Sequence, residues 1–239
     1  MTNILINFAH GSHTKSRKYN TKTGIDVGGF DKAIEYSMSD IDSNFYDKNR
    51  HILEQKRGAG YWLWKPYFIL KTLKECDEND RVFYCDAGCS FVGSFGDYFF
   101  DFLDQEDKGL ILFNGAHSQS AYTKMDCFYY MGCDSERYFN ATQLTATFQL
   151  VRKTDFSLSF YESYVEYCED DRVLTDKPNE CGMINTQNFI DHRHDQSVLT
   201  NLKEKHGVKT YEDPSQWGDF HNVREPELKT LIYHHRGTL

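Results

Sequence analysis

The sequence predicts an α/β fold built on a mostly parallel central sheet. Three observations carry that prediction. Short apolar runs alternate along the chain with stretches of helical spacing, the pattern of strands linked by crossover helices. Arg81-Val82-Phe83-Tyr84-Cys85 reads as an apolar strand closed by an acidic residue, Asp86. Upstream, Arg57-Gly58-Ala59-Gly60-Tyr61-Trp62-Leu63-Trp64-Lys65-Pro66 sets a basic, aromatic, glycine-rich segment directly before a proline-initiated helix. In such a sheet, ligands sit at the carboxyl ends of the strands. A length of 239 residues suits one domain, residues 1–239, with a substantial core.

Ile4-Leu5-Ile6-Asn7-Phe8 is apolar enough for a short buried first strand. A polar loop through Gly29 follows, holding His10, Gly11, Ser12, Lys15, Arg17 and Lys18; such a segment is either a ligand loop or plain surface. Asp40 starts a helix that puts Phe45, Ile52 and Leu53 on one face and stops at Gly58. Pro66 suits the first turn of the next helix, where Ile69, Leu70 and Leu73 recur at helical spacing. After the strand ending at Cys85, a helix covers about residues 94–103, and Leu110-Ile111-Leu112-Phe113 is a strand. Thr123 and Asp126 are spaced as a capping pair for a short helix. Residues 145–151 alternate as a strand, and residues 157–168 form an amphipathic helix. A helix over 194–206 carries Val198, Leu199 and Leu202, and residues 208–211 close with a strand.

Lys and Arg total 27 against 36 Asp and Glu, a formal charge of −9. That balance argues against nucleic acid as a partner, because backbone binding draws on clustered cations. It leaves room for one phosphorylated small molecule held by a few local basic residues. Aromatic residues make up 15% of the chain, and core filling explains most of them. Tyr61, Trp62 and Trp64, crowded beside glycines, are candidates for a sugar-stacking surface. The seven cysteines are odd in number and include no C-x-x-C pair, so neither a disulfide framework nor a zinc ribbon is favoured. Reduced thiols point to a cytoplasmic compartment. The N-terminus has no basic stretch and too short an apolar run for a signal peptide, and no segment approaches a membrane span.

Lys65 sits where a helix N-terminus gathers unpaired N–H groups and partial positive charge, which favours an anion. Arg57 could add a guanidinium fork to the same phosphate, or simply pair with one of the many acids. Asp195 stands at the start of the 194–206 helix, where it serves as a cap, a catalytic carboxylate, or both. His192 and His194 have a spacing that metal ligands also use, although two His in a loop are usually polar surface.

Asp86-Ala87-Gly88-Cys89 resembles the acidic strand-end motif of GT-A type glycosyltransferases, in which Asp-x-Asp binds a divalent metal and contacts the ribose. Gly88 stands where the second Asp would be, so Asp86 either holds the metal with water or serves only the ribose. Asp195-Gln196 is similar to the Asp-Gln pair that retaining members of the galactosyltransferase and glycogenin type place beneath the donor sugar. By this resemblance Asp195 and Gln196 are catalytic: Asp195 binds donor hydroxyls and Gln196 lies near the anomeric carbon. Leu231-Ile232-Tyr233-His234-His235-Arg236-Gly237 resembles the C-terminal apolar-run, His, x, x, Gly segment of the same enzymes. That assigns metal coordination to His234, with His235 as the alternative, and lets Arg236 reach the diphosphate.

From about Phe30 onward the chain is similar to small glycosyltransferases of large algal viruses and bacterial polysaccharide loci. They share the Arg-Gly-x-Gly-Tyr-Trp-x-Trp-Lys-Pro run and the His-Arg-His-Asp-Gln-Ser block, which stands here at residues 192–197. The resemblance implies a GT-A α/β/α sandwich that moves a hexose from a UDP-sugar to a glycan or glycoconjugate hydroxyl, with Mn2+ or Mg2+ and with retention. It also implies a nucleotide-sugar site made of Arg57, Tyr61, Trp62, Lys65, Asp86, Ala87, His194 and Arg236, and a metal held by Asp86 and His234. Two other readings compete. One is a metal-dependent phosphoesterase using Asp86, His192, His194 and Asp195; the other is a non-catalytic module stacking ligands on Trp62 and Trp64.

Overall fold

The computed structural model describes residues 1–220 and 229–236. Eight strands occur among them: β1 (Asn3–Phe8), β2 (Lys32–Tyr36), β3 (Arg81–Cys85), β4 (Cys89–Phe91), β5 (Leu110–Ser118), β6 (Thr142–Arg152), β7 (Thr210–Tyr211) and β8 (Ile232–His234). Six of them form the central sheet in the order β2-β1-β3-β6-β5-β7. β1 pairs in parallel with β2 and β3, and β5 with β7, while β6 runs antiparallel between β3 and β5. The sheet is therefore mostly parallel, as the alternating pattern predicts. β4 and β8 form a separate antiparallel pair.

Both faces of the sheet are buried, which is why β3 reads as an unbroken apolar run. Ile4, Ile6, Val82 and Tyr84 face one core, and Leu5, Phe83 and Cys85 face the other, following the period of two. The first core is covered by three long helices, α2 (Trp64–Glu75), α3 (Asp155–Cys168) and α4 (His194–His206), preceded in the chain by α1 (Thr14–Thr23). The second core is aromatic. Phe83 stacks on Phe30 at 5.3 Å and meets Phe95 at 4.5 Å, so most of the phenylalanines fill space rather than bind ligand.

The local chemistry explains where the elements begin. Thr154 and Ser157 form a reciprocal capping box at α3. Gly207, with φ +56°, ends α4 in the left-handed conformation that glycine adopts without strain. Pro66 is the third residue of α2, within the first turn, where its missing N–H costs nothing.

Three expectations are corrected, and one strand is added. The polar segment before Gly29 is not a loop throughout, because residues 14–23 form α1. That helix buries only Ser16 and Asn20; Asn20 bonds to Asn7 and to the Cys89 carbonyl, so no apolar period marks it. β2 went unread because it is a half-exposed edge strand. The helix placed at Asp40 starts at Ser43, with Asp42 accepting from the Asn44 and Phe45 amides, and it breaks at Asn49. Thr123 and Asp126 do not cap a helix. Lys124 occupies the cap position, and Asp126 instead accepts the backbone amides of Glu180 and Cys181 from a distant loop.

Candidate active site

The carboxyl ends of β1, β3 and β5 open into a cleft of about 990 Å³. Its walls come from residues 9–13 after β1, the turn at residues 86–89 after β3, residues 115–117 in β5, and the start of β6. A smaller compartment of about 290 Å³ adjoins it and shares Trp62, Asp86, Thr147, Arg193 and Gln196.

Lys65 lies at the junction. It is the second residue of α2, and its side chain is only 3% exposed. Its Nζ sits 2.9 Å from Oδ2 of Asp195 and 3.5 Å from Oδ1 of Asp86, and it donates to the Ala146 carbonyl at 3.2 Å. Three acceptors match the three hydrogens of an ammonium. The expected phosphate contact of Lys65 is therefore replaced by contacts inside the protein: α4 and the β3 turn bring two carboxylates to the place a phosphate was expected to fill. Burial pulls the ammonium pKa down, and the two carboxylates more than offset it, so Lys65 is held charged with a raised pKa. Burial raises Asp195 to about 6 against the pull of Lys65.

Asp86 is the more open carboxylate, a third exposed to the cleft. It accepts the Tyr84 hydroxyl, and its own amide donates to Thr147 at 2.8 Å. Ala87 lines the cleft in the same turn. β8 places His234 opposite Cys89, and the amides of His235 and Arg236 both donate to the Gly88 carbonyl, at 3.0 and 3.2 Å. The residue that replaces the second motif acid thus anchors the C-terminal strand by its backbone. Nε2 of His234 is buried without a hydrogen-bond partner, and burial lowers its pKa to about 4, leaving a neutral imidazole. Gly237, the end of the expected His-x-x-Gly segment, lies outside the described residues.

One oxygen donor and one nitrogen donor therefore border the same cleft. Among the described residues no group of three His, Cys, Asp or Glu side chains could hold a metal ion. A carboxylate and a neutral imidazole are both ordinary donors to divalent metals, and the rest of a bound ion's shell would come from substrate phosphates and water.

The glycine-rich segment takes an unusual path. Residues 58–62 all have positive φ, including Ala59, Tyr61 and Trp62, a conformation that costs non-glycine residues roughly 1–2 kcal/mol each. Gly60 is required there: at φ +95° a Cβ would lie 2.7 Å from the Leu53 Cα. The path brings Trp62 onto His194, with ring centroids 5.3 Å apart and planes at 22°, while Tyr61 packs on the same imidazole at 4.9 Å. Trp64 turns inward, stacking on Phe8 at 3.8 Å and donating to the Gly58 carbonyl, so it is core rather than a free stacking platform. Arg57 is held at the rim by Asp176 at 3.1 Å and Asp191 at 2.9 Å.

The two histidines of the 192–197 block serve the scaffold. Nδ1 of His192 accepts the Lys124 amide and Nε2 bonds to the Val173 carbonyl, which occupies both ring nitrogens and leaves none for a metal. Burial depresses its pKa well below normal, and that of His194 is lowered for the same reason. Nδ1 of His194 donates to Leu174 at 2.8 Å. The phosphoesterase reading loses its His192 ligand by this geometry. Gln196 borders both compartments; its Oε1 accepts the Ala146 amide at 3.3 Å, and its Nε2 donates to Gln143 at 2.8 Å. Arg236 reaches the cleft with its guanidinium over Trp217 at 4.9 Å.

Sequence reasoning missed Gln143, Trp217 and Arg193 as cleft residues. The guanidinium of Arg193 lies 4.0 Å over the Tyr122 ring. Its position within the 192–197 block was the one available signal; Gln143 and Trp217 carried none.

No protein-family profile matches this chain, and no curated protein matches it. Solved structures do. The chain is similar to mouse xyloside xylosyltransferase 1, with a TM-score of 0.53 at 11% identity over 98% of this chain and 96% of that one. It is also similar to the glycosyltransferase GlyE of Streptococcus pneumoniae TIGR4, with a TM-score of 0.53 at 14% identity over 98% of this chain. The chain spans 54% of the length of GlyE. At such identities the likeness is one of fold, and the fold is that of the GT-A glycosyltransferases. None of the helices among the described residues is long and apolar enough to cross a membrane.

Proposed function

We propose that this chain is a glycosyltransferase that moves a hexose from a nucleoside diphosphate sugar, a UDP-sugar, to a hydroxyl of a glycan or glycoconjugate. One observation carries the reading. Two segments far apart in sequence, the Asp86 turn and the Asp195-Gln196 helix start, meet through Lys65 beside one cleft at the carboxyl ends of the sheet. The GT-A fold supports it. So does the bordering of that same cleft by His234 and Arg236.

In this reading Asp195 and Gln196 lie against the transferring sugar. Above pH 6 Asp195 is ionised, and a carboxylate there stabilises the positive charge that builds on the ring carbon. Lys65 lies between Asp195 and Asp86 and offsets their mutual repulsion without entering the reaction. Arg236 faces the diphosphate, and Trp62 with Tyr61 walls the site. Asp86 and His234 would hold a manganese or magnesium ion, which offsets charge on the departing diphosphate when bound. Retention follows from the Asp-Gln likeness alone and is read from the anomer of the product. Seven free thiols support a reducing, cytoplasmic location.

A thermal-shift panel of nucleotides and nucleotide sugars, with and without Mn2+, tests the reading. UDP at a hundred times its Kd adds about 2.7 kcal/mol, or roughly 5–10 °C for a chain of this size, and more with metal. Indifference to every nucleotide would overturn it.

A further inference from the structure

Beneath Gln196 a row of buried amides runs into the protein. We propose that this row fixes which end of the Gln196 amide points where, making Gln143 and Gln119 positioning residues for sugar transfer; the functional half of the proposal rests on the transferase reading above. Gln119, Gln143 and Asn201 are 0%, 1% and 0% exposed. Nε2 of Gln196 donates to Oε1 of Gln143 at 2.8 Å, and Nε2 of Gln143 donates to Oε1 of Gln119 at 3.1 Å. Nε2 of Gln119 donates to the Ser197 carbonyl at 2.8 Å and to Oδ1 of Asn201 at 3.0 Å.

The direction of this row is set by backbone at both ends. The Ser197 carbonyl only accepts, so Gln119 must turn its nitrogen there and its oxygen toward Gln143. The Tyr122 carbonyl, 3.4 Å from Nε2 of Gln143, imposes the same orientation in the middle. At the cleft end the Ala146 amide only donates, so it requires the oxygen of Gln196. Both ends demand one polarity, and every amide between them agrees. Gln196 is left with one N–H and one oxygen lone pair unspent. A hydroxyl can answer both at once, as donor and acceptor, whereas a carboxylate can answer only the N–H and an ammonium only the oxygen. The relay therefore favours a neutral part of the ligand that both donates and accepts, such as a sugar hydroxyl, at this point of the cleft.

Gln119 does not line the cleft, so its replacement perturbs only the relay. Gln196→Glu supplies acceptors alone, and Gln143 could meet it only by turning over, which aims its oxygen at Oε1 of Gln119. Thermal melts at pH 8 of Gln196→Glu, Gln119→Met and the double variant form the first arm. The double variant is expected to lose less than the two single losses added together, because Gln119→Met removes the nearer of the two oxygens that oppose the turn, Oε1 of Gln119 at 3.1 Å against the Tyr122 carbonyl at 3.4 Å. Strict additivity would overturn the relay. The second arm is steady-state transfer by Gln119→Met, expected to lose about tenfold in kcat with donor KM within about twofold. An unchanged kcat would overturn the positioning role. A wild-type protein that turns over no nucleotide sugar fails the transferase reading, and the melts still decide the relay.

Discussion

Replacing Lys65 by Met tests the arrangement at the centre of the molecule. The variant keeps the apolar stem and removes the charge that two carboxylates share. At 2.9 Å and an effective dielectric of about 20, the attraction to Asp195 is roughly 6 kcal/mol, most of it offset by the cost of taking both ions out of water. Removing one partner exposes that cost. Breaking a buried pair this way destabilises a protein by about 3–5 kcal/mol, a Tm fall of roughly 10 °C here.

The loss depends on pH, and its sign follows from Asp195. Its folded pKa of about 6 lies above the ordinary carboxylate value, so its contribution to stability is present at low pH and fades as pH rises toward 6. Lys65 holds that pKa down; without the cation it climbs further, and the fading extends to higher pH. Below pH 6 both proteins carry a protonated Asp195, so they differ less. Urea denaturation followed by circular dichroism at pH 5 and pH 8 is the assay. A large loss at pH 8 that shrinks at pH 5, with recovery in Lys65→Met/Asp195→Asn at pH 8, is the expected result. An equal loss at both pH values, or none at pH 8, would refute the reasoning.

Two further outcomes follow from the same geometry. Gly60→Ala places a methyl against the Leu53 backbone at φ +95°, and should cost at least about 2 kcal/mol by thermal melt, whereas an unchanged Tm would mean the left-handed run is not needed. Transfer measured against pH should rise through about 6 as Asp195 ionises, and the inflection should vanish in Asp195→Asn; a flat profile through that range removes Asp195 from the charged role.

Much of the fold could be read directly. The strand ending at Cys85 and the helix His194–His206 sit where their apolar spacing placed them, because burial on a sheet face or helix stripe leaves a local periodic mark. α1 left none, since the residues it buries are Ser16 and Asn20, the latter through hydrogen bonds to Asn7 and Cys89. Asp126 misled as a cap because its partners, Glu180 and Cys181, arrive from a loop that no short window contains.

The residue types at the site were equally open to inspection: an acid after a strand, an acid and an amide opening a helix, a cation beside a proline, a histidine near the end of the chain. Their pairing was not. Lys65 meets carboxylates where a phosphate was expected, and His192 spends both nitrogens on carbonyl and amide groups of the scaffold. Local sequence determines which elements form and which charged groups lie near their ends, because those depend on neighbours a few residues away. Only packing decides which of those groups face each other, since the distances that fix an ion pair or a tautomer are set by how helices and turns seat on the sheet.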